Sequence, residues 1–443
     1  MNIAIIGAGW AGIAAAIAAT AARHHVTIFE ATHSVGGRAR AVTGTLPDGT
    51  PITLDNGQHI LIGACLDTLR LMQQVGVDTE AALLRLPLAL RFADGDGVQF
   101  PNWPSPFDAL GGILGARGWT AADKWSLLRQ ALRWRLSGFQ CAAQRTVREL
   151  CQQLSPRVFT ELIEPLCVSA LNTPAHQASA QVFLRVMQDA LFGAAGGSNL
   201  LLPRIDLTAL FPAVGLRYLR AQGAQVQLDT RIESVVAQGT RWQVAGQLFD
   251  AVILASGARD AVRLLDASAD SAETEHRRQM QHWCSVAQGL HFEAIATVYA
   301  WSADASLAAP MLNLRSDTMS PAQFVFDHGQ LGGPAGLLAF VVSASNTDRA
   351  TLQTHVLAQA QAQLGLCLQP VQTIVEKRAT FACTPGLLRP TQHIAPGLLA
   401  CGDYVAGPYP ATLEGAVRSG VAAVTALTRS VDAVKNISQG DPP

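Results

Sequence analysis

The sequence predicts an α/β fold, with helices packed on a mostly parallel sheet and a second unit inserted into the chain. A short apolar run at 3–6 leads into a glycine-rich turn, an alanine-rich helical stretch to about Ala22, and a second strand-like run at 26–30. This order of strand, turn, helix and strand is the one that a parallel sheet requires. Later runs predict further strands at 226–228, 232–236, 241–244, 251–255 and 398–401.

The composition is that of a folded protein with a lightly charged surface. The chain has 443 residues, of which 49% are hydrophobic and 15% charged, against about 25% charged residues in an ordinary soluble domain. Its 32 Lys and Arg residues almost balance its 33 Asp and Glu residues, so it lacks the basic field that nucleic-acid binding uses. We therefore expect two or three folding units and no nucleic acid as a partner.

The cysteines and the first apolar stretch indicate the compartment. None of the eight cysteines lies at the spacing of a zinc or redox pair, which predicts no metal site and buried thiols in a reducing, cytoplasmic environment. Residues 3–22 carry no charge, but no basic residue precedes them and three glycines fall early in the stretch. Both features argue against a signal peptide or a membrane-spanning helix.

The pattern Gly7-x-Gly9-x-x-Gly12 predicts a dinucleotide site at the first turn. Gly7 permits the tight turn, Gly9 lets backbone N–H groups approach a pyrophosphate, and Gly12 lets the helix pack closely on the strand. Glu30 ends the next strand, where an acidic side chain accepts hydrogen bonds from ribose hydroxyls. The fingerprint alone leaves open whether the dinucleotide is NAD or FAD.

Two later glycine motifs favour a flavin. Gly36 and Gly37 stand beside Arg38 and Arg40, which suits a second close backbone approach to a bulky, charged cofactor. The alternative is a hairpin turn with solvated arginines. Far downstream, the sequences ACGD (400–403) and TLEGAV (412–417) predict another strand, turn and helix N-terminus. A second helix dipole there would stabilise the electron-rich end of a reduced flavin.

A tryptophan-rich region separates these motifs. Four of the eight tryptophans lie between residues 103 and 134, and the stretch from Arg117 to Arg135 holds five basic residues and one acidic residue. One helical stripe carries four apolar side chains, those of Trp125, Leu128, Leu132 and Leu136. A basic amphipathic helix with aromatic residues is typical of a membrane interface, so residues 103–136 predict a peripheral membrane contact. The alternative is a helix whose stripe packs as ordinary core.

Together, these motifs resemble the amine oxidase and phytoene desaturase superfamily of flavoproteins. A narrower resemblance, over nearly the whole chain, is to its squalene-associated branch, the bacterial hydroxysqualene dehydroxylases of hopanoid biosynthesis. The pieces that carry it are DNGQH (55–59), LNTP (171–174), VFLR (182–185), DALFG (189–193) and LLPRID (201–206). One departure is Gly407-Pro408-Tyr409-Pro410, where the family is expected to have a shorter turn that contains tryptophan.

The resemblance implies a Rossmann-like FAD-binding domain of the glutathione-reductase type, with an inserted α+β substrate domain. It places the pyrophosphate of a non-covalent FAD at Gly7, Gly9, Trp10, Ala11 and Gly12, its ribose at Glu30, and its adenine at the strand backbone of Ile232. It also places the phosphate and ribityl side at Gly37, Arg38, Gly402 and Asp403, the isoalloxazine ring near Asn56 and Gly57, and its pyrimidine part over Leu413 and Glu414.

The activity that the resemblance implies is reductive removal of the hydroxyl group of hydroxysqualene, giving squalene. The reduced flavin, recharged by an external reductant such as NAD(P)H, supplies a hydride, while the protein supplies a proton and excludes water. Glu164 and Asp189 are the predicted proton donors, because a carboxyl group that faces an apolar tunnel stays protonated near neutrality. The alternative for both, and for the nearby Glu161, is a surface or capping charge. His59 is interpreted as a hydrogen-bonded core residue.

The same reading divides the chain into six segments. The FAD-binding domain is predicted at 1–85, 215–275 and 391–430, the substrate domain at 86–214 and 276–390, and a mobile tail at 431–443. We expect an isoprenoid substrate, other enzymes of the squalene pathway as partners, and a cytoplasmic protein held on the inner face of the cell membrane.

Other functions stay open on the sequence. The same fold would house an oxidative desaturase acting on a carotenoid-like polyene, in which electrons pass from the substrate to the flavin. A non-catalytic flavoprotein that hands an isoprenoid to a cyclase belongs to a different class. An amine oxidase is disfavoured, because the sequence assigns neither an aromatic cage nor an active-site lysine.

Overall fold

The computed structural model describes residues 1–104, 107–191, 193, 195–270, 272–345 and 347–438, with side chains up to residue 429. Within these ranges the chain also forms a π-helical turn at Phe159–Ile163 and a 3-10 turn at His328–Leu331. The α-helices are α1 (Trp10–Ala21), α2 (Leu66–Gln74), α3 (Thr79–Ala82), α4 (Phe107–Gly115), α5 (Ala121–Leu136), α6 (Val147–Leu150), α7 (Pro156–Val158), α8 (Glu164–Leu171), α9 (Ala180–Leu191), α10 (Leu207–Leu210), α11 (Pro212–Ala221), α12 (Ala258–Ala269), α13 (Thr274–Gln288), α14 (Arg349–Leu364) and α15 (Leu413–Ser438).

The strands form several sheets. They are β1 (Asn2–Ile6), β2 (His25–Phe29), β3 (Ala41–Thr45), β4 (Pro51–Asp55), β5 (Leu61–Ile62), β6 (Leu83–Leu86), β7 (Ala89–Arg91), β8 (Gly97–Gln99), β9 (Leu200–Pro203), β10 (Gln225–Gln227), β11 (Val236–Gln238), β12 (Arg241–Val244), β13 (Gln247–Phe249), β14 (Ala251–Leu254), β15 (Phe292–Trp301), β16 (Met311–Asn313), β17 (Phe324–Asp327), β18 (Leu337–Ser343), β19 (Gln369–Phe381), β20 (His393–Ala395) and β21 (Leu398–Ala400).

The main sheet has six strands in the order β10-β2-β1-β14-β21-β20. All neighbouring strands run parallel except β20 and β21. The apolar runs that the sequence shows at its start, near residue 250 and near residue 400 therefore close into one sheet. Their near-continuous hydrophobicity fits this position, because a parallel sheet is covered on both faces.

Helices α1 and α15 pack closely against each other beside this sheet. The alanine-rich α1 presents Ala11 and Ala15 to the partner helix, and a Cβ atom at Gly420 would lie 2.3 Å from the backbone oxygen of Ala11. Only a residue without a side chain permits this approach. The small residues of both helices thus bring α15 over the start of α1.

A second sheet, antiparallel, has the order β16-β17-β18-β15-β19. On one face, Ala296 and Val298 pack under α14, against Leu352 and Val356. The opposite face turns toward the end of β4, where the hydroxyl group of Tyr299 donates to the backbone oxygen of Asp55 at 2.9 Å. Side chains alternate between the two faces of a strand, so β15 packs under α14 on one face and contacts the end of β4 on the other.

The strand predicted at 232–236 is wrong over most of its length. β11 begins only at Val236, and Ile232 is a buried residue of the preceding loop. The loop follows other elements instead, because Thr230 N donates to the backbone oxygen of Glu30 at 2.8 Å and Val235 N donates to Ser268 Oγ at 2.9 Å. These bonds lead the chain along the end of β2 and past α12 without sheet pairing.

The last helix enters the segment predicted as a tail. α15 continues to Ser438 and so covers the first part of residues 431–443, whereas residues 439–443 lie outside the described residues. The boundaries of the predicted domains stay a prediction.

Helix α5 exposes the stripe that the sequence singles out. Trp125, Leu132 and Leu136 are 66%, 56% and 78% exposed, while Leu127 and Trp134 on another face are buried. The alternative that the stripe packs as core therefore holds only for Leu128, which is half-buried against the core, and not for the other three residues. None of the described helices is both long and apolar enough to cross a membrane.

Candidate functional site

Four parallel strands end side by side at one edge of the main sheet. Ile6 at the end of β1 is in register with Phe29 and Leu254, and Leu254 is in register with Ala400. In open α/β sheets, ligands bind beyond the carboxyl ends of the strands. The residues that follow these four ends are Gly7, Glu30, Ala255 and Cys401.

The turn between β1 and α1 is built from glycine because two close approaches require it. Gly7 has φ +114°, and a Cβ atom there would lie 2.8 Å from the backbone oxygen of Ala255. A Cβ atom at Gly12 would lie 2.0 Å from the backbone oxygen of Gly7. Gly9, the N-cap residue of α1, provides no side-chain cap. The first N–H groups of α1 therefore receive no cap from the side chain of the N-cap residue, and a bound anion could accept hydrogen bonds from them.

A second glycine turn faces the first. Gly9 and Gly36 form a parallel bridge, and Gly36 N donates to the backbone oxygen of Ala8 at 2.9 Å. A Cβ atom at Gly9 would meet, among the described residues, only the Cα atom of Gly37, at 3.9 Å. The two turns therefore leave a narrow open cradle that a side chain would fill. The residues present fit the pyrophosphate of a dinucleotide.

Trp10 and Ala11 contribute to this cradle through their backbone. The indole Nε1 of Trp10 donates to the backbone oxygen of Ala39 at 3.0 Å, and its ring packs against Phe211 at 5.1 Å. Ala11 is buried under α15. Both side chains thus hold the turn in place, and only their N–H groups face the predicted pyrophosphate.

Glu30 organises the first turn from the end of β2. Its carboxylate accepts hydrogen bonds from Ala8 N at 2.8 Å and from Thr32 N at 3.0 Å. The loop that holds Ile232 reaches the same place, because Thr230 N donates to the backbone oxygen of Glu30. The structure therefore brings these two predicted contacts together, although Ile232 approaches as a loop residue.

Arg38, Asn56 and Asp403 converge from three parts of the chain. Arg38 Nη2 lies 2.5 Å from Asp403 Oδ1, and the Asp403 carboxylate raises the pKa of Arg38. The side-chain amide of Asn56 donates to the backbone oxygen of Arg38 at 3.2 Å and to Glu376 Oε2 at 3.2 Å. Gly57 is the next residue, and its backbone oxygen accepts a hydrogen bond from His59 Nδ1 at 2.7 Å.

The start of α15 lies at the same edge. Gly402 N donates to Ser419 Oγ at 2.8 Å, which holds the turn after β21 against the second turn of the helix. Ala411 has φ +58°, an uncommon conformation for a residue with a side chain. Such backbone strain clusters at ligand sites. Leu413 begins the helix immediately after it.

The Glu414 side chain serves the fold. It is buried, and its carboxylate accepts hydrogen bonds from Thr68 N at 2.9 Å and Thr68 Oγ1 at 2.6 Å, at the start of α2. Arg418 lies within ion-pair distance at 3.7 Å. Only the backbone of Glu414 remains to face the predicted flavin.

A neighbouring carboxyl group, that of Asp55, was not singled out in the sequence. It is 9% exposed and accepts a hydrogen bond from Leu207 N at 2.9 Å. Burial raises its pKa to about 7, the Leu207 N–H bond opposes this shift, and the Asp206 carboxylate adds to it. The DNGQH motif contains Asp55, but the motif does not reveal that the side chain is buried. Burial also lowers the pKa of His59, a half-buried residue whose interpretation as a core histidine stays a prediction.

The two predicted proton donors occupy different settings. Glu164 Oε1 accepts a hydrogen bond from Ala175 N at 3.1 Å and so holds the turn after α8. Asp189 Oδ2 lies 2.7 Å from Arg185 Nε, and its side chain is 25% exposed. Glu161, the third acid, is buried and paired with both Arg157 and Arg315. None of the three stands alone in an apolar wall.

Tyr409 connects the Asp189–Arg185 pair with α15. Its ring lies 5.5 Å from the guanidinium carbon of Arg185 and 4.8 Å from that of Arg418. Burial raises the pKa of Tyr409, and Arg185 opposes the shift. The sequence marked this position only as a departure from the family pattern. The structure shows that the departure links α9 to the segment that leads into α15.

Comparison with known proteins places this arrangement in a family. The profile of the flavin-containing amine oxidoreductases matches residues 10–428, from the start of α1 into α15, whereas β1, Gly7 and Gly9 precede the match. The chain belongs to this family. As a member of this family it is a flavin-dependent oxidoreductase, and the predicted flavin cofactor is confirmed.

Individual relatives in sequence carry narrower names. A hydroxysqualene dehydroxylase of Sinorhizobium fredii is 26% identical, covering 95% of this chain and 96% of the relative. One of Rhodopseudomonas palustris is also 26% identical, with the same shares. A zeta-carotene desaturase of Synechocystis is 36% identical over 76 residues, 17% of this chain and 15% of the relative.

Solved structures of several oxidoreductases share the fold. An oxidoreductase from Methanosarcina mazei is 14% identical with a TM-score of 0.73, covering 96% of this chain and 100% of that chain. A triple mutant of putrescine oxidase is 17% identical with a TM-score of 0.71, covering 97% and 99%. The predicted fold class is confirmed, and the individual cofactor contacts stay predictions.

Proposed function

We propose that this chain is an FAD-dependent oxidoreductase that reductively removes the hydroxyl group of hydroxysqualene and gives squalene, in isoprenoid and hopanoid biosynthesis. The near full-length similarity to hydroxysqualene dehydroxylases is the observation that carries the proposal. The family membership and the cradle at the sheet edge support the cofactor. The substrate and the direction of the reaction are the part that requires an experiment.

The residues at the sheet edge would hold FAD. The cradle of Gly9 and Gly37 would take the pyrophosphate, Glu30 the ribose, and the backbone at the start of α15 the flavin ring. The flavin supplies a hydride when it is reduced. The positive end of the α15 dipole favours the negative charge that a reduced flavin carries.

The proposed reaction balances with one hydride and one proton. The carbon–oxygen bond of the allylic alcohol breaks, the oxygen leaves as water after it accepts the proton, and a carbon–hydrogen bond forms at the allylic carbon. Two electrons pass from the reduced cofactor to the substrate. The chain must therefore deliver a proton to the leaving oxygen and keep bulk water away from the carbon.

Of the two predicted proton donors, Asp189 is the better placed. Glu164 is held by Ala175 N, whereas the partner of Asp189, Arg185, stacks on Tyr409 beside the segment that leads into α15. We propose that Asp189 donates the proton and that Glu164 holds the turn at residue 175.

A second candidate function is oxidative desaturation of a carotenoid-like polyene. The local similarity to a zeta-carotene desaturase favours it. The same cofactor position would serve, with electrons passing from the substrate to the flavin.

The test is anaerobic. The purified flavoprotein is reduced chemically, hydroxysqualene is added, and flavin absorbance and product mass are followed together. We expect one squalene for each flavin reoxidised. Flavin that stays bound and reduced in the presence of the alcohol would contradict the proposal. If a carotenoid-like polyene is then added to the oxidised protein and reduces the flavin, the desaturase is established.

Substitutions test which carboxyl group donates the proton. Asp189→Asn should slow flavin reoxidation by about 10²–10⁴-fold, because general acid catalysis contributes that much, with FAD content unchanged. Glu164→Gln should lower thermal stability, and it should slow flavin reoxidation much less than Asp189→Asn does. Glu275→Gln, which removes an exposed carboxylate paired with Arg278, is the matched control. Equal loss of rate in the Asp189→Asn and control variants would remove Asp189 from the mechanism.

The external reductant can be tested with the same protein. We propose NAD(P)H, and we expect NADH or NADPH to bleach the bound flavin without oxygen. A flavin that neither compound reduces would indicate a protein electron donor instead.

A further inference from the structure

An exposed apolar surface covers α4, α5 and the residue Trp103 that precedes them. Twelve large apolar side chains are exposed in the described residues, and seven of these fall between residues 103 and 136. Scattered exposed apolar residues need no explanation, but a concentration of this kind marks an interaction site. The seven residues are Trp103, Phe107, Leu110, Leu114, Trp125, Leu132 and Leu136. We call them the α4–α5 surface.

The two helices present their exposed residues in rows. Phe107, Leu110 and Leu114 repeat at the spacing of one helical face, and so do Trp125, Leu132 and Leu136. Lys124 Nζ donates to the backbone oxygen of Leu114 at 2.7 Å. This bond holds the end of α4 against the first turn of α5, so that both rows belong to one part of the molecular surface.

The exposed row of α5 is additional to the face that packs on the protein. Leu127 and Trp134 are buried, and the Trp134 ring meets the Phe183 ring edge-on at 6.3 Å. The fold therefore does not need Trp125, Leu132 or Leu136 in order to anchor α5. Their apolar area remains available to a partner outside the chain.

Within residues 103–136, the charged side chains that reach the surface are positive. Both acidic residues between 103 and 136 are buried: Asp123 caps α5 through Thr120, and Asp108 bonds Ala109 N and Ser198 Oγ. Five cations remain, and in the described part of the chain no ion pair involves any of them. They are Arg117, Lys124, Arg129, Arg133 and Arg135.

We propose that the α4–α5 surface docks on a lipid bilayer that contains anionic headgroups. Arg129 and Arg133 are interleaved with Trp125, Leu132 and Leu136 along α5. At a bilayer, long cationic side chains reach the phosphate groups while aromatic and aliphatic groups enter the apolar boundary. A protein interface would have to bury the same cations, which is costly without acidic partners. The proposal depends on this surface alone and is independent of the reaction.

The test measures co-flotation of the flavin-loaded protein with vesicles. One set contains phosphatidylcholine alone and the other contains a third phosphatidylglycerol. We expect binding to the anionic vesicles that weakens as salt rises, because salt screens the attraction of exposed charges. The double variant Trp125→Ser/Leu132→Ser should bind at least tenfold more weakly. Arg129→Gln/Arg135→Gln should lose the preference for the anionic vesicles.

The control is Met319→Ser/Leu388→Ser, which removes two apolar side chains that are 64% and 78% exposed elsewhere on the molecule. It should bind vesicles like the unaltered protein. Absence of binding by the unaltered protein to anionic vesicles at low salt would overturn the proposal. So would a concentration-dependent dimer that the Trp125→Ser/Leu132→Ser variant abolishes, since the surface would then serve a second copy of this chain. Unchanged flavin content verifies that each variant is folded.

Discussion

The buried carboxyl group of Asp55 gives the molecule a measurable pH dependence. In an unfolded chain an aspartate has a pKa of about 3.9, whereas burial in the native protein raises the pKa of Asp55 to about 7. Between these values the native state keeps a proton that the unfolded state has released. Stability therefore falls as pH rises through this window, because the native state binds more protons than the unfolded state.

Asp55→Asn should remove this dependence. The amide oxygen can still accept from Leu207 N, and the side chain cannot ionise. We expect the variant to gain stability relative to the unaltered protein as pH rises from 4 to 8, by at most about 4 kcal/mol, since each pKa unit is worth about 1.4 kcal/mol. Urea unfolding of the two proteins at several pH values measures this difference in stability.

The control for this pair is Asp317→Asn. Asp317 is exposed and, like Asp55, accepts hydrogen bonds from backbone N–H groups, here those of Met319 and Ser320. This variant makes the same Asp-to-Asn change at an exposed position, so it measures the effect of the substitution without burial. A difference for Asp55→Asn that stays constant from pH 4 to pH 8 would show that Asp55 ionises normally.

Single residues also show where sequence reasoning ends. The glycine fingerprint and Glu30 could be predicted because their spacing encodes backbone geometry. Trp10 and Glu414 occupy the predicted places, but each side chain is turned into the fold by a partner far away in sequence, Ala39 for Trp10 and Thr68 for Glu414. No local pattern records such a partner.

In the turn between β1 and α1, substitution of Gly9 and of Gly12 by alanine should have opposite effects on folding and on FAD binding. At Gly9, a methyl group would meet nothing closer than the Cα atom of Gly37, at 3.9 Å. Gly9→Ala should therefore fold, with a loss of stability under about 1 kcal/mol. It should bind FAD at least tenfold more weakly, because the methyl group fills the cradle. Flavin titration of the apoprotein measures the affinity.

Gly12→Ala is the contrasting variant, since its Cβ atom would lie 2.0 Å from the backbone oxygen of Gly7. It should be strongly destabilised whether or not FAD is present. Gly115→Ala, where no atom of the described residues lies within 4 Å of the new Cβ, should leave both properties unchanged. Normal FAD affinity in the Gly9→Ala variant would place the pyrophosphate elsewhere.

Elements with a local signal were predicted well, and elements that depend on distant contacts were not. The βαβ start follows from apolar runs and glycines that are adjacent in sequence. Ile232 lies in an equally apolar run, but the bonds of Thr230 and Val235 draw that run away from any sheet. Helix α5 was predicted as a helix, yet its periodicity fitted both an exposed and a buried stripe. Only the presence of Leu127 and Trp134 in the core decides between them.

Across the whole molecule, Arg38 ties three distant segments together. It pairs with Asp403 and donates to the backbone oxygens of Arg378 and Ala379, at the end of β19. Arg38→Gln would leave the Asp403 carboxylate buried without its cation. We expect a loss of about 2 kcal/mol in unfolding free energy, together with faster release of FAD. Thermal unfolding followed by both circular dichroism and flavin fluorescence records the two effects.

Arg263→Gln is the control, because it breaks an exposed ion pair with Glu233. Exposed pairs contribute about 0–1 kcal/mol, so this variant should melt and retain flavin normally. If Arg38→Gln behaves in the same way, Asp403 is stabilised by another group and the link between the segments is weaker than the geometry indicates.

The interleaved strand order of the main sheet has a consequence for how the protein is made. β1 is bordered by β2 and β14, and β21 joins the sheet between β14 and β20. At about 5–20 residues per second, a ribosome needs roughly 20–80 s to pass from β1 to β21. During that time the nascent chain exposes an unfinished strand edge and an uncovered α1. Such edges associate readily with other chains, so we infer that the newborn polypeptide depends on chaperones until α15 emerges.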